Sequence, residues 1–181
     1  KPKVGRNEML LQKLIGMVYM TDELLEDAPA MYAFTEQEFR SEFAFTFDDA
    51  FFRGTGAGVP LGFMESGALV TIPKEGSQAA DTILSANVTK MWAAMHSRSK
   101  KNALWLINSE CFPQLIKMFI PFTNVAGTEN VGGAAVYLPP GGLAGQEFGT
   151  LMGRPVVEVE QASAIGDLGD IALVDPTRYR T

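Results

Sequence analysis

The sequence predicts a protein of mixed helices and strands organised around one unusually long helix. Three observations predict it. Apolar residues from Met31 to Phe51 recur at threes and fours and stop just before a glycine, the pattern of an amphipathic helix. The runs "NALWLIN", "RPVVEVE" and "DIALVD" have the length and branched, apolar composition of strands. Two further segments, "SANVTKMWAAMHSR" and "SECFPQLIKMF", return to helical spacing.

Each element has a local reason. Residues 4–20 mix apolar and polar positions without helix caps and suit extended chain. Thr21 precedes Asp22 and Glu23, an N-cap followed by first-turn acids, so "TDELLEDAP" reads as a short helix. Pro29 restarts the chain in a geometry tolerated where a helix begins. The long helix follows, with Met31, Tyr32, Phe39, Phe43, Phe47, Ala50 and Phe51 on its recurring positions. Gly54 is expected to end it as a C′ residue in left-handed geometry. The phenylalanines from Phe34 to Phe52 raise the idea of an aromatic cofactor pocket, but packing against a sheet or a neighbour explains them without chemistry. Residues 67–73 read as a short strand. In the second helix Val88, Met91, Trp92 and Met95 share a face, Ser85 or Asn87 caps the start, and Arg98-Ser99-Lys100-Lys101 meets the C-terminal dipole. Ser109 opens the third helix. Residues 121–150 are rich in glycine and proline around one strand, "AAVYL", and a loop of that length is expected to serve an interface or a function.

Composition narrows the function. The 181 residues are 46% hydrophobic and 20% charged, which fits a globular chain. Fifteen basic residues stand against 21 acidic ones, for a net charge of −6. Gripping phosphates requires a basic excess, so direct binding of nucleic acid or an anionic membrane is disfavoured. The single cysteine, Cys111, excludes an internal disulfide and a multi-cysteine zinc site, and suits synthesis in a reducing cytoplasm. No apolar run approaches the ~20 residues of a membrane span. The chain opens on Lys1 rather than Met and is expected to be a processed product or a piece of something longer.

The search for chemistry begins at "FFRGTGAGVPLGF", where glycines alternate at Gly54, Gly56 and Gly58. A phosphate-binding P-loop would end in Gly-Lys-Ser/Thr, which is missing here. A dinucleotide loop runs from a strand into a helix N-terminus, whereas this one leaves a helix at its negative end. The glycines are expected to supply positive-φ backbone for the exit instead. His96 is the only histidine and has no nucleophile that the sequence can place beside it. Cys111 starts a helix, which would lower its pKa, but no partner base accompanies it. The pairs Glu26-Asp27, Asp48-Asp49 and Glu158-Glu160 are explained by helix starts, a helix face and strand alternation. No catalytic, cofactor-binding or metal-ligating residue is assigned, and no cofactor is expected.

The ordered motifs resemble the major capsid proteins of tailed bacteriophages. The matching pieces are "MTDELLEDAP", "DDAFFRGTGAGVPLGF", "ALWLINSECFPQLIKM", "GTLMGRPVVEVEQAS" and "GDIALVDPTRY", in the family's order. Gly54, Gly56, Pro60 and Gly62 stand where that family has its G-x-G-x-x-x-P-x-G turn, and Gly153 and Pro155 match its G-x-P. Asp27 and Asp175 fall inside the first and last pieces. The resemblance implies an α+β fold, with a peripheral domain carrying a long spine helix and a mixed α/β axial domain. It places residues 1–16 at the end of an extended loop, 17–58 in the peripheral domain, 59–170 in the axial domain and 171–181 at the return. Against the family's pattern, the N-terminal arm, most of the extended loop and the closing strands are expected to be missing from these residues. Implied partners are copies of itself, a scaffold, a prohead protease and a portal, with packaged DNA only indirectly and no membrane. The implied setting is a virion capsid built in the bacterial cytoplasm. A shell protein of a bacterial nanocompartment has the same fold; the glycine turn and the terminal "GDIALVDPTRY" favour the phage. A small α/β enzyme or nucleotide-binding domain is the reading that the chemistry disfavours.

Overall fold

The computed structural model describes residues 13–23, 29–123, 130–141 and 148–179. The chain divides into two compact units, Lys1–Leu69 and Val70–Arg180, with Thr181 grouped to the first. Mixed helix and strand is the observed class.

The first unit is dominated by α1, Pro29–Arg53, 25 residues long. Its aromatic spacing produces stacked neighbours one turn apart: Phe39 on Phe43 at 5.8 Å and Phe47 on Phe51 at 6.5 Å. Phe52 is the one residue of α1 that is buried among its described side chains, tilted against Phe63 at 4.6 Å. Tyr32, Phe34, Phe45 and Phe47 remain exposed. Ahead of the helix, Asp22 and Glu23 are helical, and the rest of the expected short helix, including Glu26 and Asp27, lies outside the described residues. After it, Phe63–Glu65 forms a single 3-10 turn. Residues 67–73, expected as a strand, are turn and irregular chain with no ladder partner. Val70 is 65% exposed, and a lone strand with neither partner nor cover has no stability of its own.

The second unit is a five-stranded sheet with helices against it. Its strands are β1 (Leu104–Ile107), β4 (Tyr137–Leu138), β5 (Thr150–Leu151), β6 (Arg154–Glu158) and β7 (Ile171–Val174), in the order β4-β5-β6-β1-β7. β1 runs parallel to β6, with Trp105 opposite Val156, and antiparallel to β7, with Leu104 opposite Val174. β2 (Phe119–Thr123) and β3 (Asn130–Ala135) form a separate antiparallel pair. The "AAVYL" run is therefore split: its start ends β3, and Tyr137–Leu138 belongs to the large sheet.

The core gathers Trp105, Ile107, Val88, Cys111, Leu115 and Leu151, all fully enclosed. Trp105 also satisfies its indole N–H, which donates to the Leu151 carbonyl at 2.9 Å. Helix α2, Ser85–Ala94, delivers Val88 to that core. It is shorter than the apolar pattern suggests, since Met95 is its C-cap and His96 and the basic run lie beyond it. The basic residues therefore sit in the following turn and not in the last helical turn, where Lys100 Nζ lies 5.2 Å over the Trp92 ring. Asn87 acts at the start by accepting from the Leu84 backbone N–H at 2.9 Å. The expected third helix becomes a 3-10 turn, Ser109–Cys111, followed by the five-residue α3, Phe112–Ile116. Its cap is Asn108, which accepts from the Glu110 N–H at 3.0 Å, while the Ser109 hydroxyl donates to Glu158 instead.

Candidate functional site

The site most clearly built by this sequence is the exit from α1. Gly54 continues the helix ladder by donating to the Ala50 carbonyl at 2.9 Å, and its own carbonyl accepts from the Gly62 N–H at 2.7 Å. An isolated bridge joins Thr55 to Leu61. The chain thus leaves the helix, loops through residues 55–61 and crosses back over its own departure point. A Cβ on Gly54 would overlap the Pro60 carbonyl oxygen and lie 2.5 Å from that of Ala50. A Cβ on Gly62 would stand 2.5 Å from the Phe52 oxygen and 2.6 Å from the Gly54 nitrogen. Both glycines are required by backbone-to-backbone contact.

That corrects one expectation. Gly54 lies outside the left-handed region; the positive φ of this loop belongs to Gly56 and Gly58, both at +77°. Sequence reasoning located the glycines but assigned Gly54 the wrong cause, because a missing Cβ serves close approach and unusual dihedrals alike.

A second turn is built at residues 152–153. Met152 at φ +53° and Gly153 at φ +74° link β5 to β6, and two positive φ values are what a two-residue hairpin needs to match strand twist. Pro155 follows inside β6, one residue before its pairing with β1 begins at Val156. Asp175 caps the 3-10 turn Pro176–Arg178, accepting from the Thr177 N–H at 3.1 Å and its hydroxyl at 2.6 Å. Hydrogen bonds from Thr177 and Ser99 hold its carboxyl below the ordinary carboxylate value.

The reactive side chains do not converge. His96 is exposed, and its Nδ1 accepts from the Arg98 N–H at 3.3 Å. Cys111 is buried, donates to the Asp170 carbonyl at 3.5 Å, and burial pushes its thiol up to about 11. A thiol in that setting is a core residue and not a nucleophile. Asp48 and Asp49 are exposed on α1, whereas Glu158 and Glu160 are exposed at the far end of β6. Among the described residues no three of His, Cys, Asp and Glu are grouped to hold a metal ion. No described helix is long and apolar enough to cross a membrane. A cavity of about 410 Å³ lies along the N-terminal half of α1, lined by Tyr32, Thr35, Glu36, Phe39 and Phe43 with Gly16 opposite.

What the geometry holds is a scaffold of tight backbone crossings and a layered α+β unit. The whole chain, residues 1–181, matches the model of the phage capsid family, and the protein belongs to that family. Its expected status as a structural protein and not an enzyme follows from that membership. Among solved structures it is similar to the capsid of a native GTA particle and to that of an empty GTA particle, both computed with C5 symmetry. Each is 22% identical with a TM-score of 0.56 over 85% of this chain. The chain spans about half of theirs, 52% and 53%. No curated protein matches it.

Proposed function

We propose that this protein is the major capsid subunit of a tailed phage or prophage, assembling with itself into the pentamers and hexamers of an icosahedral shell that encloses DNA. The observation that carries this reading is the family match over the full chain. Residues 17–58, with α1 as spine, act as the peripheral domain, 59–170 as the axial domain and 171–181 as the start of the return, while the two compact units divide later, after Leu69. Within this reading, a scaffold, a prohead protease and a portal are further partners, and the protein resides in the virion after assembly in the host cytoplasm.

Two surfaces support it. The aromatic side chains Tyr32, Phe34, Phe45 and Phe47 of α1 stand 45 to 75% exposed, and so many exposed aromatics on one element mark an interface. On the β2–β3 pair, Phe119, Ile120 and Phe122 are also exposed. The net charge of −6 suits a shell whose subunits meet each other more than they grip DNA. Electron microscopy of the intact gene product, expressed alone and with its scaffold, tests the proposal. Closed icosahedral shells are expected; a soluble protein that never forms capsomers while turning over a small substrate would overturn it.

A further inference from the structure

We infer that the two ends of the five-stranded sheet are complementary charged surfaces through which the second unit docks head-to-tail on a second copy of this chain. The inference rests on the capsid reading and names the contact that would organise a ring.

Strand direction collects the charges. Since β1 and β6 are parallel and β7 is antiparallel to them, the starts of β1 and β6 share an end with the finish of β7. Arg98, Lys100 and Lys101 immediately precede β1, Arg154 begins β6, and Arg178 follows β7. They are drawn together by contact: Arg154 Nη1 donates to the Lys101 carbonyl at 2.5 Å. The acid named at this end, Asp175, is held by Thr177 through Oδ1 and lies 3.9 Å from Arg178 Nε through Oδ2, so it offsets one of the five positive charges. Arg98 and Lys101 are exposed and make no ion pair among the described residues.

The opposite end is acidic. Glu110 follows β1, Glu158 ends β6 with Glu160 two residues beyond it, and Asp167 and Asp170 precede β7. Asp81 is brought against Gly166 of the same loop. The partners of these carboxylates are backbone N–H groups and the Ser109 hydroxyl: Glu110 accepts from Ile165, Asp170 from Gly166 and Ile171, and Glu158 from Ser109. None forms an ion pair among the described residues.

Strands of four or five residues hold the two ends roughly 15 Å apart, beyond the ~8 Å screening length at physiological salt. The charges therefore cannot neutralise each other within one subunit. A nucleic acid would be attracted to one end and repelled by the other and by the net charge. A second copy offers a match for both. Basic end against acidic end is a heterologous contact, which repeats from copy to copy and closes into a ring. Turning either end onto its like would set bare charges together, so the pattern also selects the register.

The test uses the intact gene product with Arg98→Glu/Lys101→Glu at one end, Glu160→Lys/Asp167→Lys at the other, and all four changes combined. These side chains are exposed and outside the core, and far-UV circular dichroism checks that each variant folds. Sedimentation velocity reads capsomer formation at 0.05 and 0.5 M salt. Each reversal alone should weaken association about tenfold or more. Mixing the two reversed proteins, or combining all four changes, should restore it, and high salt should weaken the wild type. Wild-type shells with unaffected single reversals would overturn this inference and leave the capsid reading standing. A wild type that forms no capsomers would remove both. Binding of a 30-base-pair DNA by the wild type, lost on reversal of the basic end and with no rescue by mixing, would assign that surface to nucleic acid and overturn the inference as well.

Discussion

Placing a single methyl group on Gly54 tests the account of the helix exit directly. In Gly54→Ala the new Cβ overlaps the Pro60 carbonyl and lies 2.5 Å from the Ala50 oxygen. Both obstacles are backbone, so no side-chain rotation relieves them. The loop must back away, which gives up the 2.7 Å hydrogen bond from Gly62 to Gly54 and the Thr55–Leu61 bridge. A lost hydrogen bond costs about 1 kcal/mol and forced displacement of packed groups about 1–3 kcal/mol. The expected destabilisation is therefore about 2–4 kcal/mol. Gly58→Ala is the control, because nothing lies within 4 Å of its Cβ and only its φ of +77° is unfavourable; it should cost about 1–2 kcal/mol. Urea denaturation followed at 222 nm is the assay, since α1 has 25 residues against ten in α2 and five in α3. If Gly54→Ala costs no more than Gly58→Ala, the close-approach argument is wrong.

Three further outcomes are expected. Trp105→Phe removes the indole donor from the Leu151 carbonyl and opens space in a fully buried site, so it should destabilise by about 2–4 kcal/mol in the same titration. Cys111 should resist Ellman's reagent in the native protein at pH 8 and react stoichiometrically in denaturant. Because its folded pKa is raised from 9.0 to about 11, its neutral form favours the folded state, and that contribution should fade between about pH 9 and 11; Cys111→Ala should flatten the decline, and an unchanged profile would contradict the assignment. Asp175 behaves in the opposite sense: its folded pKa is lowered, so its stabilisation is complete above the unfolded carboxylate range and disappears as pH falls through the folded value. Asp175→Asn should therefore be less sensitive to acid as pH falls through and below the ordinary carboxylate range, and an acid dependence identical to wild type would refute the role given to Thr177 and Ser99.

What the sequence determined by itself are the features written in adjacent residues. The spacing of Met31, Phe39, Phe43, Phe47 and Ala50 specifies α1, and Gly54 follows its last residue, Arg53. Apolar runs around Trp105, Val156 and Leu173 specify β1, β6 and β7, since strands that are at least half-buried over most of their length need few polar positions. The ordered motifs also pointed to the family that the full-length match shows. Tertiary structure decided whatever depends on partners distant in sequence. Residues 67–73 look like a strand but find no neighbour, whereas Phe119–Thr123 is a strand despite Pro121 because the glycine-rich β3 pairs with it. Ser109, expected to open the third helix, leaves the cap to Asn108 and gives its hydroxyl to Glu158, 49 residues away. Gly54 shows the same limit, because its cause is the return of Pro60 and Gly62 across the helix end. The charged ends of the sheet are the clearest case. Their residues are scattered from Asp81 to Arg178, and only the parallel pairing of β1 with β6 and the reversed β7 sorts them by sign. Local propensity acts through neighbouring residues, but strand register is a long-range choice made by the whole core at once.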